Sequence, residues 1–271
     1  MNTERQDGGL SGLLSRLYER YNRRPCVAQD PLRYVYEYDC PGDREVVGLV
    51  AALLAYGRLQ QILDSVADAL GRLGPEPQRF LLQASEQKLR HASGGFAHRF
   101  AHGHQFCCFL RAVQRVLQRY GTLQSCFRAH DRPRERTVLP GLTGLAQELR
   151  RAGGSLEHLV ADPAKGSACK RWHLYLRWMV RSDQVDAGLW EGVSPARLVV
   201  PLDAHMWRLC RVLGLTDRKT CDLKAAVEVT ESFRRFAPAD PVRYDFALMH
   251  ASAEGDPALR SLMASGDAPC A

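Results

Sequence analysis

Residues 199–215 read Val-Val-Pro-Leu-Asp-Ala-His-Met-Trp-Arg-Leu-Cys-Arg-Val-Leu-Gly-Leu. Pro201 restricts its own backbone and biases Val200 toward an extended conformation, so a helix has to begin after this point. Asp203 stands at the N-cap position of that helix, and Gly214 marks its end. Backbone amides of the first turn orient the Asp203 carboxylate and hold it ionised. His205, in the same turn, directs a ring N–H outward beside those amides. Alone, Asp203 reads as a cap and His205 as a surface residue.

Upstream, Asp162-Pro163-Ala164-Lys165-Gly166-Ser167 leads into Ala168-Cys169-Lys170-Arg171-Trp172-His173-Leu174-Tyr175-Leu176-Arg177-Trp178-Met179-Val180. A short helix ending at Val160, a glycine-bearing turn and a second helix give a helix-hairpin-helix outline. Such a turn can aim unpaired helix-start amides at a phosphate. Lys170 falls in the first turn of the second helix, where the positive end of the macrodipole disfavours an ammonium. A desolvated amine there can serve as a nucleophile. The plainer reading is that Lys170, His173, Arg177 and Arg181, at three- and four-residue spacing, form a solvated face.

Helical periodicity extends over nearly the whole chain, and no alternating strand exceeds four residues. Leu10 to Tyr21 carries an apolar stripe. A second helix capped by Asp43 runs to Gly57, a third covers Gln60 to Leu73, and Phe106 to Tyr120 carries a basic rail of Arg111, Arg115 and Arg119. Further helices are expected at about 142–152, 167–181, 204–213, 222–236 and 241–251, separated by Gly- and Pro-marked breaks. Residues from Glu254 onward are small and polar and read as a fraying tail. The fold class is all-α, with 1–271 forming one domain.

The chain has 271 residues, 45% apolar and 25% charged, which excludes disordered and fibrous classes. No run approaches the roughly 20 apolar residues of a membrane helix, and MNTERQDGGL lacks a signal-peptide core. Nine cysteines without disulfide-like spacing point to a reduced, cytoplasmic setting. The net charge of +7 is local: Lys88 to Arg151 holds twelve basic and three acidic residues, net +9, leaving −2 for the rest. A polyanionic partner is one reading of that imbalance, and an arginine-rich solvated surface the other.

The string Val-Pro-Leu-Asp-Ala-His-Met-Trp-Arg-Leu, with Lys170 upstream, resembles the signature of the helix-hairpin-helix DNA glycosylase superfamily. The 33-residue spacing from Lys170 to Asp203 is similar to the archaeal 8-oxoguanine branch, with Arg181 to Leu198 as the insert. The whole chain also resembles an uncharacterised bacterial family known only as a domain of unknown function, through Ala51-Ala52-Leu53-Leu54-Ala55-Tyr56-Gly57, Lys170-Arg171, Leu176-Arg177-Trp178-Met179-Val180-Arg181 and Tyr244-Asp245-Phe246-Ala247-Leu248.

The glycosylase resemblance implies two packed helical subdomains, 1–40 plus 160–271 and 41–159, with a cleft between them. It implies a repair enzyme that excises a damaged base, such as an oxidised purine, with associated lyase activity. Lys170 and Asp203 are then the catalytic pair. His205, Gly166, Lys165 and Arg171 hold DNA, and Arg58 or Gln60 enters the gap left by a flipped nucleotide. The expected partner is damaged double-stranded DNA, met by a monomer, although nothing in the residues separates DNA from RNA. No cofactor is implied. The four-cysteine iron–sulfur pattern of many relatives is missing, since only Cys270 follows Cys221. The alternative is a non-catalytic nucleic-acid-binding protein of the same fold.

Overall fold

Apolar periodicity becomes helix nearly everywhere in the computed structural model, which describes residues 2–154, 156 and 158–266. Its α-helices are α1 (Asn2–Tyr21), α2 (Pro41–Leu54), α3 (Leu59–Leu73), α4 (Pro77–Gln83), α5 (Glu86–Ser93), α6 (Gly103–Tyr120), α7 (Leu123–His130), α8 (Leu139–Gly153), α9 (Lys170–Val180), α10 (Ala204–Val212), α11 (Leu223–Arg234), α12 (Asp245–Glu254) and α13 (Pro257–Gly266). A two-residue hairpin, β1 (Ala97–His98) and β2 (Ala101–His102), pairs Ala97 with His102 and His98 with Ala101. The fold is all-α. Among the described residues no helix is long and apolar enough to cross a membrane.

Helix α2 is apolar all round, and Val46 to Leu54 is buried throughout, so it lies inside the molecule rather than on it. It packs against α9, α3, α4 and the 3₁₀ segment Pro31–Glu37. Helices α5, α6, α7 and α8 pack on one another in sequence order, while α1 packs on α12 and α10 on α13. One hydrophobic cluster runs from Leu13 to Leu259 through all of these.

Several local expectations are corrected by tertiary partners. Helix α2 begins at Pro41, a residue suited to a first helical position, so Asp43 does not cap it. The Asp43 carboxylate instead accepts the amide of Gln78 at 2.7 Å, at the start of α4. Helix α2 stops at Leu54 rather than Gly57. Short helices α4, α5 and α7 lack a long apolar stripe and rest on their starts: Pro77, the Ser85 hydroxyl and the Thr122 hydroxyl. Buried Glu45 of α2 supports α7 further, accepting the amides of Leu123 and Gln124 at 2.9 and 2.7 Å. It also accepts the Trp190 indole N–H at 2.7 Å, which anchors the 181–198 segment. Burial pushes the Glu45 carboxyl up, and those three donors pull it back only in part.

The expected basic rail lies on the surface, with Arg115 and Arg119 exposed, but each of its arginines is held by a partner. Arg111 pairs with Glu86 at 3.3 Å, Arg115 donates to the Ala152 carbonyl at 2.7 Å, and Arg119 meets Glu148 at 3.0 Å. These contacts bind α6 to α5 and α8. No helix ends at Val160: Leu159 and Val160 donate to the Leu156 carbonyl in a turn, and α8 has already stopped at Gly153. The connection into α9 is therefore longer than a tight hairpin. Helix α13 replaces the start of the expected irregular tail, while Cys270 lies outside the described residues.

Candidate active site

The turn before α9 is built residue by residue. The Asp162 carboxylate caps the 3₁₀ segment Pro163–Lys165 by accepting the Ala164 amide at 3.0 Å. Gly166 ends that segment with φ of 80°, a left-handed conformation that glycine adopts without strain. Its carbonyl accepts the Leu223 amide at 2.9 Å, tying the turn to the start of α11. Cys169 then takes φ of 46° and ψ of 40°, left-handed for a residue with a side chain. Such a conformation costs on the order of 1 kcal/mol or more and gathers at functional positions. It launches α9 with Lys170 as the first helical residue.

Asp203 stands opposite. Its Oδ1 accepts the amides of His205 and Met206 at 3.0 and 2.8 Å, which makes it the N-cap of α10. Its Oδ2 accepts from Lys170 Nζ at 2.7 Å. Cap and ion pair thus occupy different oxygens of one carboxylate. Each of the two side chains is 30% exposed. Partial burial pulls the Asp203 carboxyl up, but the Lys170 charge and hydrogen bond and the two amides outweigh it, leaving the group below its usual range.

Lys170 opens onto a cavity of about 300 Å³ whose lining includes Tyr56, Ala168, Arg171, Trp172 and Cys221. Its aromatic walls are held rigidly. The Trp172 indole N–H donates to the Ala161 carbonyl at 2.9 Å, and the Tyr56 hydroxyl donates to the His98 carbonyl at 3.1 Å. A cavity with flat aromatic walls and an amine–carboxylate pair at its edge suits a planar, partly apolar group joined to something electrophilic. A larger hollow of about 580 Å³ is rimmed by Glu37, Asp39, Asp43 and Glu76, and its charge repels a polyanion.

Of the residues expected to bind or react, Lys170, Asp203 and Arg171 are brought together. Arg171, expected on DNA, turns inward instead. Its guanidinium donates to the carbonyls of Leu53 at 2.5 Å and His158 at 2.6 Å and lies 4.8 Å from the centre of the Tyr56 ring. Burial lowers it from the usual arginine value. His205 bonds Ser252 of α12 at 2.7 Å, which fixes the first turn of α10. Gly166 and Lys165 are exposed beside the α9 turn. Arg58 is the exposed N-cap of α3, and exposed Gln60 is held by Asp64 at 2.8 Å. Neither Arg58 nor Gln60 lines the cavity. The residues that sequence reasoning missed are Tyr56, Trp172 and Cys221. The first two lie inside quoted motifs, but their role needs the α2–α9 packing to emerge. Among the described residues, no group of three His, Cys, Asp or Glu side chains could hold a metal ion.

A family model described as "Protein of unknown function (DUF2400)" matches residues 30–254, a span that contains α2 through α12 and the whole site. No curated protein matches the chain. No solved structure matches it either.

Proposed function

The chain belongs to that family of proteins of unknown function, and from this premise we propose that it is a DNA glycosylase with associated lyase activity. The observation that carries the reading is Lys170 Nζ, 2.7 Å from the Asp203 carboxylate at the edge of an aromatic-walled cavity. An everted base enters the cavity, and its deoxyribose C1′ comes to Lys170. The amine passes a proton to Asp203 Oδ2, its nearest acceptor, and attacks C1′. The C1′–N bond to the base breaks, and the base leaves with the electron pair and takes up a proton. The departing base takes that proton from Asp203, and the carboxylate so restored stabilises positive charge developing on the sugar. Opening of the sugar ring gives a Schiff base at C1′. Loss of a C2′ proton then expels the 3′ phosphate by β-elimination.

The reading is supported by the strained Cys169, by the placement of a carboxylate against Lys170, and by the absence of any acidic residue from Lys88 to His130. Borohydride trapping on duplexes carrying oxidised purines, oxidised pyrimidines or abasic sites tests it. A covalent adduct is expected with the parent and none with Lys170→Gln. Adduct formation undiminished in that variant moves the nucleophile elsewhere, with Lys165 first to examine. No adduct and no free base from any lesion favours a binding protein of the same fold.

A further inference from the structure

Phe100 is the most exposed large hydrophobic residue described, at 60%, ahead of Leu59 and Leu82. Isolated exposed apolar side chains are ordinary. This one is placed by construction. It forms the tip of the β1–β2 hairpin together with Arg99, whose φ of 53° is left-handed for a residue with a side chain. The hairpin is anchored from below: buried His98 bonds the Ser65 hydroxyl at 2.8 Å and the Tyr56 carbonyl at 3.1 Å, and its ring meets the Tyr56 ring edge-on at 4.5 Å. Burial lowers the His98 imidazole, so it anchors as a neutral ring.

The tip also leans on the cavity's rim. The Arg99 side chain lies against Gly57, so tightly that a Cβ there would come within 3.0 Å of it. The Phe100 ring stands 5.8 Å from the exposed His158 ring, centre to centre. His158 is itself located by Arg171, which grips its carbonyl at 2.6 Å. Tyr56, Leu159 and Arg171, the residues that join the hairpin to the α9 turn, all line the cavity. Among the described residues no carboxylate pairs with Arg99 at the tip or with Arg58, which follows Gly57. An exposed aromatic ring on a rigid mount, with the Arg99 guanidinium 5.6 Å from its centre, fits a nucleobase better than a lipid or an apolar peptide.

We propose that Phe100 and His158 form a stacking site for an unpaired base of DNA beside the Lys170 cavity, so that the protein selects DNA that is locally unpaired. This assignment rests on the part of the proposed function that makes the chain a DNA-binding protein but not on the Lys170 chemistry. It also gives the gap-entering role to the hairpin tip instead of Arg58 or Gln60.

The test uses the full chain and DNA duplexes with 2-aminopurine at a single unpaired position, read by fluorescence quenching, beside fully paired controls. The parent is expected to quench the probe and prefer the unpaired duplex. Phe100→Ala is expected to bind that duplex about tenfold more weakly, to lose the quenching, and to bind the paired duplex within about twofold of the parent, while Phe100→Trp restores both properties. Arg58→Ala and Gln60→Ala are expected to keep the quenching. Equal preference and equal quenching in parent and Phe100→Ala overturn the proposal, as does quenching that disappears with Arg58→Ala but not with Phe100→Ala. Borohydride trapping is followed in parallel. Phe100-dependent quenching without trapping on any lesion leaves the stacking site standing and removes the glycosylase reading, and trapping with Phe100-independent quenching does the reverse.

Discussion

The two ends of α9 carry the same kinds of side chain and use them oppositely. At its start, Lys170 meets one carboxylate at 2.7 Å, each partner 30% exposed, beside a cavity. Toward its end, Arg177 and Arg181 are buried among four carboxylates. Asp186 pairs with both arginines, Asp245 with Arg177, and Asp183 and Asp240 with Arg181 at 2.8 and 2.9 Å. Between them His173 is fully buried, and neither ring nitrogen bonds a described residue. Buried ion clusters are expensive to desolvate and contribute mainly by demanding their partners. A half-exposed pair can be reached and can change protonation. The end open to solvent is the one a reactant can reach, and the sealed end holds α9, α12 and the 182–187 turn in place around it.

The comparison breaks most readily at the open end. Asp203→Asn keeps an amide-accepting cap but cannot stabilise a cationic sugar, so base release is expected to fall by roughly 10²- to 10³-fold while duplex binding is kept. Single-turnover excision assays decide the point, and a parental rate in Asp203→Asn reduces Asp203 to a cap. At the sealed end, Arg177→Ala leaves buried Asp245 without its paired cation and Asp186 with Arg181 alone, and is expected to destabilise the fold by about 3–5 kcal/mol. For a chain of this size that corresponds to a drop in Tm of about 10 °C. A change near zero in thermal and urea unfolding would mean that water, not Arg177, satisfies those carboxylates.

That contrast along α9 is also where the sequence runs out. Spacing alone places Lys170, His173, Arg177 and Arg181 on one face, and a solvated face is the natural reading. Instead, His173, Arg177 and Arg181 are all 2% exposed or less. Their partners Asp240 and Asp245 lie some sixty residues away, and no local pattern announces that pairing. Asp203 was legible because its cap role is local: Pro201 before it, helix after it, Gly214 at the end. Asp43 misled for the converse reason, since its amide partner, Gln78, belongs to another helix. Short helices such as α7 were invisible because a buried carboxylate from α2, not a periodic stripe, starts them.

His173 sharpens the comparison through pH. Burial pulls its imidazole down to about 4 from an ordinary value near 6.5. In the unfolded chain it takes up a proton as pH falls below about 6.5, whereas the folded chain refuses one until about 4. Folded stability linked to this residue is therefore complete above pH 6.5 and is lost on acidification through that window. Between pH 7 and 5 the parent is expected to lose about 1–2 kcal/mol more than His173→Leu, which has nothing to titrate. Parallel slopes of stability against pH for the two proteins would place His173 in contact with water.

The smallest effect returns to Asp203 and separates its two oxygens. Oδ1 serves the α10 amides and Oδ2 serves Lys170, so the carboxylate has a half that caps the helix and a half to which the proposed function gives the chemistry. Asn preserves the first, because its amide oxygen accepts the His205 and Met206 N–H groups as well as a carboxylate oxygen does. Ala removes both. Asp203→Ala is therefore expected to be less stable than Asp203→Asn by about 1 kcal/mol, a shift in Tm of about 2–4 °C, although both are inactive in excision. The half-exposed Lys170 pair adds little to this difference, since ion pairs open to solvent are worth at most about 1 kcal/mol and are screened by salt. The gap between the two variants is accordingly expected to persist in high salt. A gap that closes as salt is added would assign the stabilising role to the ion pair, and the first turn of α10 would then owe its geometry to Lys170 rather than to its cap.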